Sequence, residues 1–128
     1  MKKFYRKATK NTPLVKGNFR KGYLIIEGKS YPEDSSALYE PLIEWCEEIL
    51  DYKYPRLEID IKINYMHSST EKMLMELFEK LAPITEFKEI KVDWYYDMDD
   101  PDMKELADIY TKHFGKFVSV HPYDYESV

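Results

Sequence analysis

Residues 67–72 read His-Ser-Ser-Thr-Glu-Lys: an imidazole, three adjacent hydroxyls, a carboxylate and an ammonium. Hydroxyls in such a setting can do three things. They can satisfy free backbone N–H groups at a helix start, accept a phosphate, or act as nucleophiles beside a base. Ser68 with Glu71 fits the S-x-x-E capping box, in which hydroxyl and carboxylate satisfy orphan N–H groups reciprocally. The same helix mouth carries partial positive charge and unpaired donors, so it also suits an anion. A phosphorylated serine there adds roughly −1.5 to −2 charge. Glu71 would repel that charge and Lys72 would offset it. The neighbouring His67 and Ser68 invite a small-hydrolase reading, but no G-x-S-x-G elbow accompanies them.

The remaining reactive residues do not form a site. Asp97, Asp99, Asp100 and Asp102 lie close together, but Pro101 interrupts them and the Gly and Glu of an EF-hand loop are missing. A helix start rich in Asp accounts for them. His67, His113 and His121 lack zinc-ligand spacing with Cys46. The four glycines are scattered and build no phosphate loop. Neither a metal nor a cofactor is expected. Of the twelve tyrosines, some must be core, while others such as Tyr95 fall on the polar face of a strand, where they suit protein contact.

The elements that would position the hydroxyls are legible from periodicity. TPLVKGNF and GYLIIEG read as a hairpin, and GKSYPEDSS as a loop leading into a helix with the stripe Leu38, Leu42, Trp45, Cys46 and Ile49. Pro41 requires either a start near Glu40 or a bend. RLEIDIKIN, 56–64, alternates cleanly and predicts a half-buried strand. A helix follows over about 69–82, with Met73, Leu74, Leu77, Phe78 and Leu81 inward. EIKVDWYYD is a further strand with Ile90, Val92 and Trp94 on one face. Asp99 or Asp100 caps a third helix, Pro101 suits its first turn and Gly115 ends it; KFVSV is a last strand. The predicted order is β-β-α-β-α-β-α-β. It implies an α/β fold, one domain over 1–128, with a mixed sheet of four or five strands and helices mainly on one face.

Composition narrows the function classes. The chain has 128 residues with 44% hydrophobic and 34% charged, enough for a core. A net charge of −5 argues against nucleic acid, and the basic MKKFYRKATK reads as a solvated edge. One cysteine permits no internal disulfide, which fits a reducing compartment. No run reaches transmembrane length and no signal-peptide segment is visible at the start. A cytoplasmic protein without a membrane partner is expected.

Three segments together resemble the SiaC-like regulatory phosphoproteins of bacteria: GKSYPEDSS (28–36), similar to G-x-S-Y-P-E-N-S; INYMHSSTEKML (63–74), similar to Y-x-N-T-S-S-x-K; and VDWYYDMDDPDM (92–103), similar to W-x-Y-D with its acidic run. The resemblance implies a STAS-like fold, akin to anti-sigma-factor antagonists, and a partner-switching role. A Ser/Thr kinase phosphorylates a hydroxyl in the N-T-S-S segment and a PP2C-type phosphatase removes the phosphate. The unmodified form binds a target, in one branch a diguanylate cyclase that controls biofilm formation. Position by position, the family's phosphorylated threonine falls on Ser68, with Ser69 as second choice. Tyr65 and Lys72 keep their family positions, Thr70 keeps a hydroxyl, and His67 replaces an asparagine. Tyr31, Pro32 and Glu33 in the first segment, and Trp94, Tyr95 and Asp97 in the third, become candidates for partner contact.

The expectation is therefore a non-enzymatic signalling phosphoprotein. The competing readings are a constitutive binding module, with the hydroxyls serving only as a cap, and a hydrolase using Ser68 and His67.

Overall fold

Alternating burial along the strands organises the molecule. In the computed structural model, which describes residues 3–18, 20–51 and 56–127, Leu57, Ile59, Ile61 and Ile63 of one strand are fully buried. Glu58 between them is exposed, and Asp60, Lys62 and Asn64 are half-buried. Six strands form one sheet: β1 (Phe4–Arg6), β2 (Leu14–Asn18), β3 (Tyr23–Ser30), β4 (Arg56–Met66), β5 (Glu89–Asp97) and β6 (Val118–Tyr123). The helices are α1 (Ser35–Asp51), α2 (Ser68–Leu81) and α3 (Pro101–Phe114), with 3₁₀ turns at Ala82–Glu86 and Tyr125–Ser127. β1, β2 and β3 pair antiparallel; β3 with β4, β4 with β5 and β5 with β6 pair parallel. The inward side chains and the helices' apolar stripes form one hydrophobic cluster, and the other sheet face stays polar and aromatic.

The expected four or five strands become six. The added strand is β1, inside the segment read as a solvated edge. It has three residues and buries only Phe4, too little for a period-2 pattern to register. Phe4 packs against Trp45, ring centroids 6.3 Å apart. Met1, Lys2 and Phe19, at the ends of runs read from the sequence, lie outside the described residues. Of the two alternatives for Pro41, a start near Glu40 or a bend, the start near Glu40 is not what forms. α1 begins at Ser35, where Asp34 accepts the Ala37 N–H at 3.3 Å, and Pro41 lies inside it. Cys46 is fully buried, and burial pushes its thiol pKa up.

One irregularity matters for the site. The β3–β4 register passes from Gly28↔Ile63 to Lys29↔Tyr65, leaving Asn64 as the extra residue of a bulge. A bulge reverses the in–out parity beyond it. Met66 therefore enters the core, and Tyr65 turns out to solvent at 46% exposure, immediately before α2.

Candidate functional site

Parallel strands connected through helices send every helix start to the same edge of the sheet, where α/β proteins place their ligands and partners. Here α1, α2 and α3 begin just beyond the ends of β3, β4 and β5. Ser35 at the mouth of α1 meets Ser69 at the mouth of α2, Oγ to Oγ, at 2.8 Å. Burial first, and then the Asp102 and Asp100 carboxylates at the start of α3, raise the Glu71 carboxyl in the first turn of α2 above its ordinary 4.5.

The cap of α2 differs from the expected capping box. His67 occupies the N-cap position, in extended conformation at φ −78° and ψ 162°, and makes no side-chain cap bond. Its carbonyl accepts the Thr70 and Glu71 N–H groups at 3.0 and 3.1 Å. Ser68 is instead the first helical residue, where its hydroxyl is badly placed to reach back to N–H groups further into the helix. The reading of Ser68 as half of an S-x-x-E cap is thus corrected. Side-chain caps at this edge belong to the neighbouring helices: Asp34 at α1, and Asp100 at α3, whose Oδ1 accepts the Asp102 and Met103 N–H groups at 3.0 and 3.3 Å.

The three hydroxyls sort into three environments. Thr70 is fully buried; its Oγ1 donates to the Ser30 carbonyl at 3.1 Å and lies 2.9 Å from Ser30 Oγ. Ser30 Oγ in turn meets Tyr39 Oη at 2.7 Å. Burial pushes the Tyr39 phenol up to about 12, so it stays protonated and can donate. The Ser30 carbonyl also accepts the His67 N–H at 3.1 Å, so the end of β3 clamps both the cap and the first turn of α2. Ser69 is exposed as a residue, but its oxygen is engaged by Ser35, which is only 7% exposed. Ser68 is exposed, and its hydroxyl makes no hydrogen bond among the described residues.

Beside Ser68 stands an aromatic trio. Tyr31, Tyr65 and His67 have ring centroids 5.5 to 5.8 Å apart, and Tyr31 Oη donates to the Lys10 carbonyl at 2.8 Å. His67 is engaged with these rings and forms no hydrogen bond to Ser68 among the described residues. A hydrolytic pair needs that bond. Lys72 is exposed, four residues on from Ser68 and hence on the same helix face.

The six expected partner-contact residues do not gather. Tyr31 and exposed Glu33 lie on the loop between β3 and α1, near the trio. Asp97 is at the end of β5 and accepts the Asp99 N–H at 3.0 Å. Tyr95 is on the uncovered sheet face, stacked on His121 at 4.9 Å, with its carbonyl accepting from Tyr125 Oη at 2.5 Å. Trp94 and Pro32 are corrections. Trp94 points inward and is fully buried against Tyr96 and Tyr110, and Pro32 is buried, so neither offers surface to a partner. Sequence reasoning missed Ser30, Ser35 and Tyr39 as supports of the α2 mouth. The polar residues of SYPEDSS, midway between an apolar strand and an apolar stripe, were the available signal. Among the described residues no group of three or more His, Cys, Asp or Glu could hold a metal, and no helix is long and apolar enough to cross a membrane.

Together these features describe an α/β fold with an exposed hydroxyl, unbonded among the described residues, at a helix mouth. The chain belongs to the SiaC family of regulatory phosphoproteins, whose sequence pattern matches residues 6–123. It is 31% identical over 101 residues to an uncharacterized protein of Pseudomonas aeruginosa (strain UCBPP-PA14), covering 78% of this chain and 80% of that one. The fold matches apo-SiaC from Pseudomonas aeruginosa with a TM-score of 0.85 and 26% identity, covering 94% of this chain and 99% of the other. It matches equally well, at TM-score 0.85 and 26% identity over 94% and 99% of the two chains, a crystal structure of the diguanylate cyclase SiaD in complex with its activator SiaC from Pseudomonas aeruginosa.

Proposed function

We propose that this chain is a non-enzymatic, cytoplasmic signalling protein whose choice of partner is set by reversible phosphorylation of Ser68. The observation that carries the reading is the sorting of the hydroxyls: Ser68 alone among 68–70 is both exposed and without a hydrogen-bond partner among the described residues. A phosphate there gains from the helix dipole and the first N–H groups of α2, and Lys72 one turn on can pair with it. It also places about two negative charges beside the Tyr31–Tyr65–His67 patch. A partner whose apolar surface seats on that patch would have to desolvate the phosphate, and binding is lost.

The unmodified form binds and activates a target, and the SiaD complex of the structural relative supports a diguanylate cyclase in that place, with biofilm control as output. A Ser/Thr kinase adds the phosphate and a PP2C-type phosphatase removes it, a cycle in keeping with the family's description as regulatory phosphoproteins. The likeness to STAS-type anti-sigma-factor antagonists is functional in this reading: a mixed sheet with a modifiable hydroxyl at a helix mouth.

The test is to incubate the full chain with the cognate kinase and ATP, map the phosphate by mass spectrometry, and compare cyclase binding before and after. Phosphate at Ser68 with loss of binding is expected, and Ser68→Asp should bind poorly while Ser68→Ala binds whether or not kinase is added. Modification confined outside 68–70, or equal binding by all forms, refutes the reading.

A further inference from the structure

We propose that Ser35 selects the acceptor among the neighbouring hydroxyls by holding Ser69 Oγ in a hydrogen bond, which leaves Ser68 as the one free to react. The inference rests on the phosphorylation proposed above and adds the residue that sets its specificity. Ser68 and Ser69 have the same chemistry, are both exposed, and differ by one position at the same helix mouth. A kinase reading only the local sequence would have little ground for choosing between them.

The fold supplies that ground. Ser69 Oγ is 2.8 Å from Ser35 Oγ, and Ser35 is 7% exposed at the start of α1, so the bond draws the Ser69 oxygen toward the seam between the two helices. Transfer requires the serine oxygen to approach the γ-phosphorus of a nucleoside triphosphate in line. The Oγ–P bond forms, the bond from P to the β–γ bridging oxygen breaks, the diphosphate leaves, and the hydroxyl proton passes to a base on the kinase. Near-attack geometry is demanding, and a hydroxyl held elsewhere must first break its bond to reach it. A hydrogen bond of ordinary net strength biases that step roughly two- to thirteen-fold. The other nearby hydroxyls are also withheld: Ser36 Oγ donates to Asp34 at 2.7 Å, and Thr70 is buried in its bonds to Ser30. Ser35 comes from a segment more than thirty residues upstream, so acceptor choice depends on the two helix mouths being assembled.

Tagged full-length chain recovered from cells of its source, with phosphatase inhibitors present, is digested and the phosphate mapped. Wild type, Ser35→Ala and Ser35→Thr are compared, with circular dichroism and thermal melts as the check on folding. Wild type should carry phosphate on Ser68. In Ser35→Ala the ratio of Ser69 to Ser68 phosphate should rise roughly two- to thirteen-fold. Ser35→Thr, which keeps a hydroxyl, should restore the wild-type pattern, an outcome that loss of packing alone does not predict. Placing Ser35→Ala in a Ser68→Ala background should move the phosphate to Ser69. Folded Ser35→Ala with an unchanged ratio, or wild type with equal phosphate on both serines, overturns this inference and leaves phosphorylation at the helix mouth standing. Wild type without phosphate anywhere in 68–70 overturns both.

Discussion

Ser30 ties the end of β3 to Tyr39 and to the first turn of α2, and Ser30→Ala measures this tie. The substitution changes side-chain volume little, so its cost is almost wholly polar. Two hydrogen bonds are lost. Tyr39 Oη, on a residue 1% exposed, loses its Ser30 partner, and leaving a buried donor unpaired costs about 1–3 kcal/mol. Thr70 Oγ1 loses its contact with Ser30 Oγ, about 0.5–1.5 kcal/mol, but keeps its bond to the Ser30 carbonyl. The sum is roughly 1.5–4.5 kcal/mol. Tyr39→Phe is gentler, because it removes the donor itself and leaves Ser30 Oγ paired with Thr70; roughly 0.5–1.5 kcal/mol is expected. The double variant has no orphan hydroxyl at position 39 and should cost about 1–3 kcal/mol less than the two single changes added together. Urea titrations read these differences as shifts in midpoint at constant slope. In a thermal scan, a chain of this size should melt about 3–5 °C lower per kcal/mol lost. Additive costs, or Ser30→Ala no worse than Tyr39→Phe, would refute the claim that these hydroxyls act as one buried network.

Three further outcomes follow from the same geometry. Ser68→Ala should leave stability nearly unchanged in denaturant titration, since its hydroxyl caps nothing, whereas Asp100→Ala should cost about 0.5–2 kcal/mol as the loss of a working cap. The raised Glu71 carboxyl binds a proton more tightly in the folded than in the unfolded state, so its contribution is full below the ordinary 4.5 and is lost as pH rises through the higher folded value. Glu71→Gln should accordingly become more stable relative to wild type as pH rises from about 4 to 7, as read from melting temperatures across that range. Gly22 lies at φ +60°, and a Cβ there would sit 2.6 Å from the Arg56 carbonyl oxygen, so Gly22→Ala should lower the urea midpoint by the equivalent of more than about 1 kcal/mol.

Much of this architecture was readable in the residues, and the exceptions have physical causes. β4 announced itself because four isoleucine or leucine residues alternate with polar ones against a core on one side. α3 is delimited at its start by Asp100 and Pro101, each with a local mechanism that needs no tertiary context, while Gly115 follows its end in right-handed conformation at φ −59°. The bulge at Asn64 was not legible: nothing in I-N-Y-M shows where the parity reverses, since that depends on how Gly28 and Lys29 pair across the gap. Alternation alone accordingly ends the strand at Asn64, whereas it continues to Met66. The cap falls one residue before the expected Ser68 for a related reason. S-x-x-E is satisfied by the letters, but the chain enters the helix with His67 extended, held by the Ser30 carbonyl from another strand. Trp94 belongs to the inward set by simple alternation with Ile90 and Val92, and its burial follows that pattern over any role in recognition. The Ser35–Ser69 and Ser30–Thr70 pairs join residues 34 and 40 positions apart, beyond the reach of local pattern.

In the sheet, spatial order and chain order coincide, β1 through β6. No later strand has to be inserted between two earlier ones, so each can join an edge that is already in place. Such a ladder can be assembled from the amino end as the polypeptide leaves the ribosome, with hairpin closure first and each helical crossover adding one rung. At every stage a single fresh edge waits for the segment synthesised next, which shortens the interval in which that edge can capture a strand from another chain.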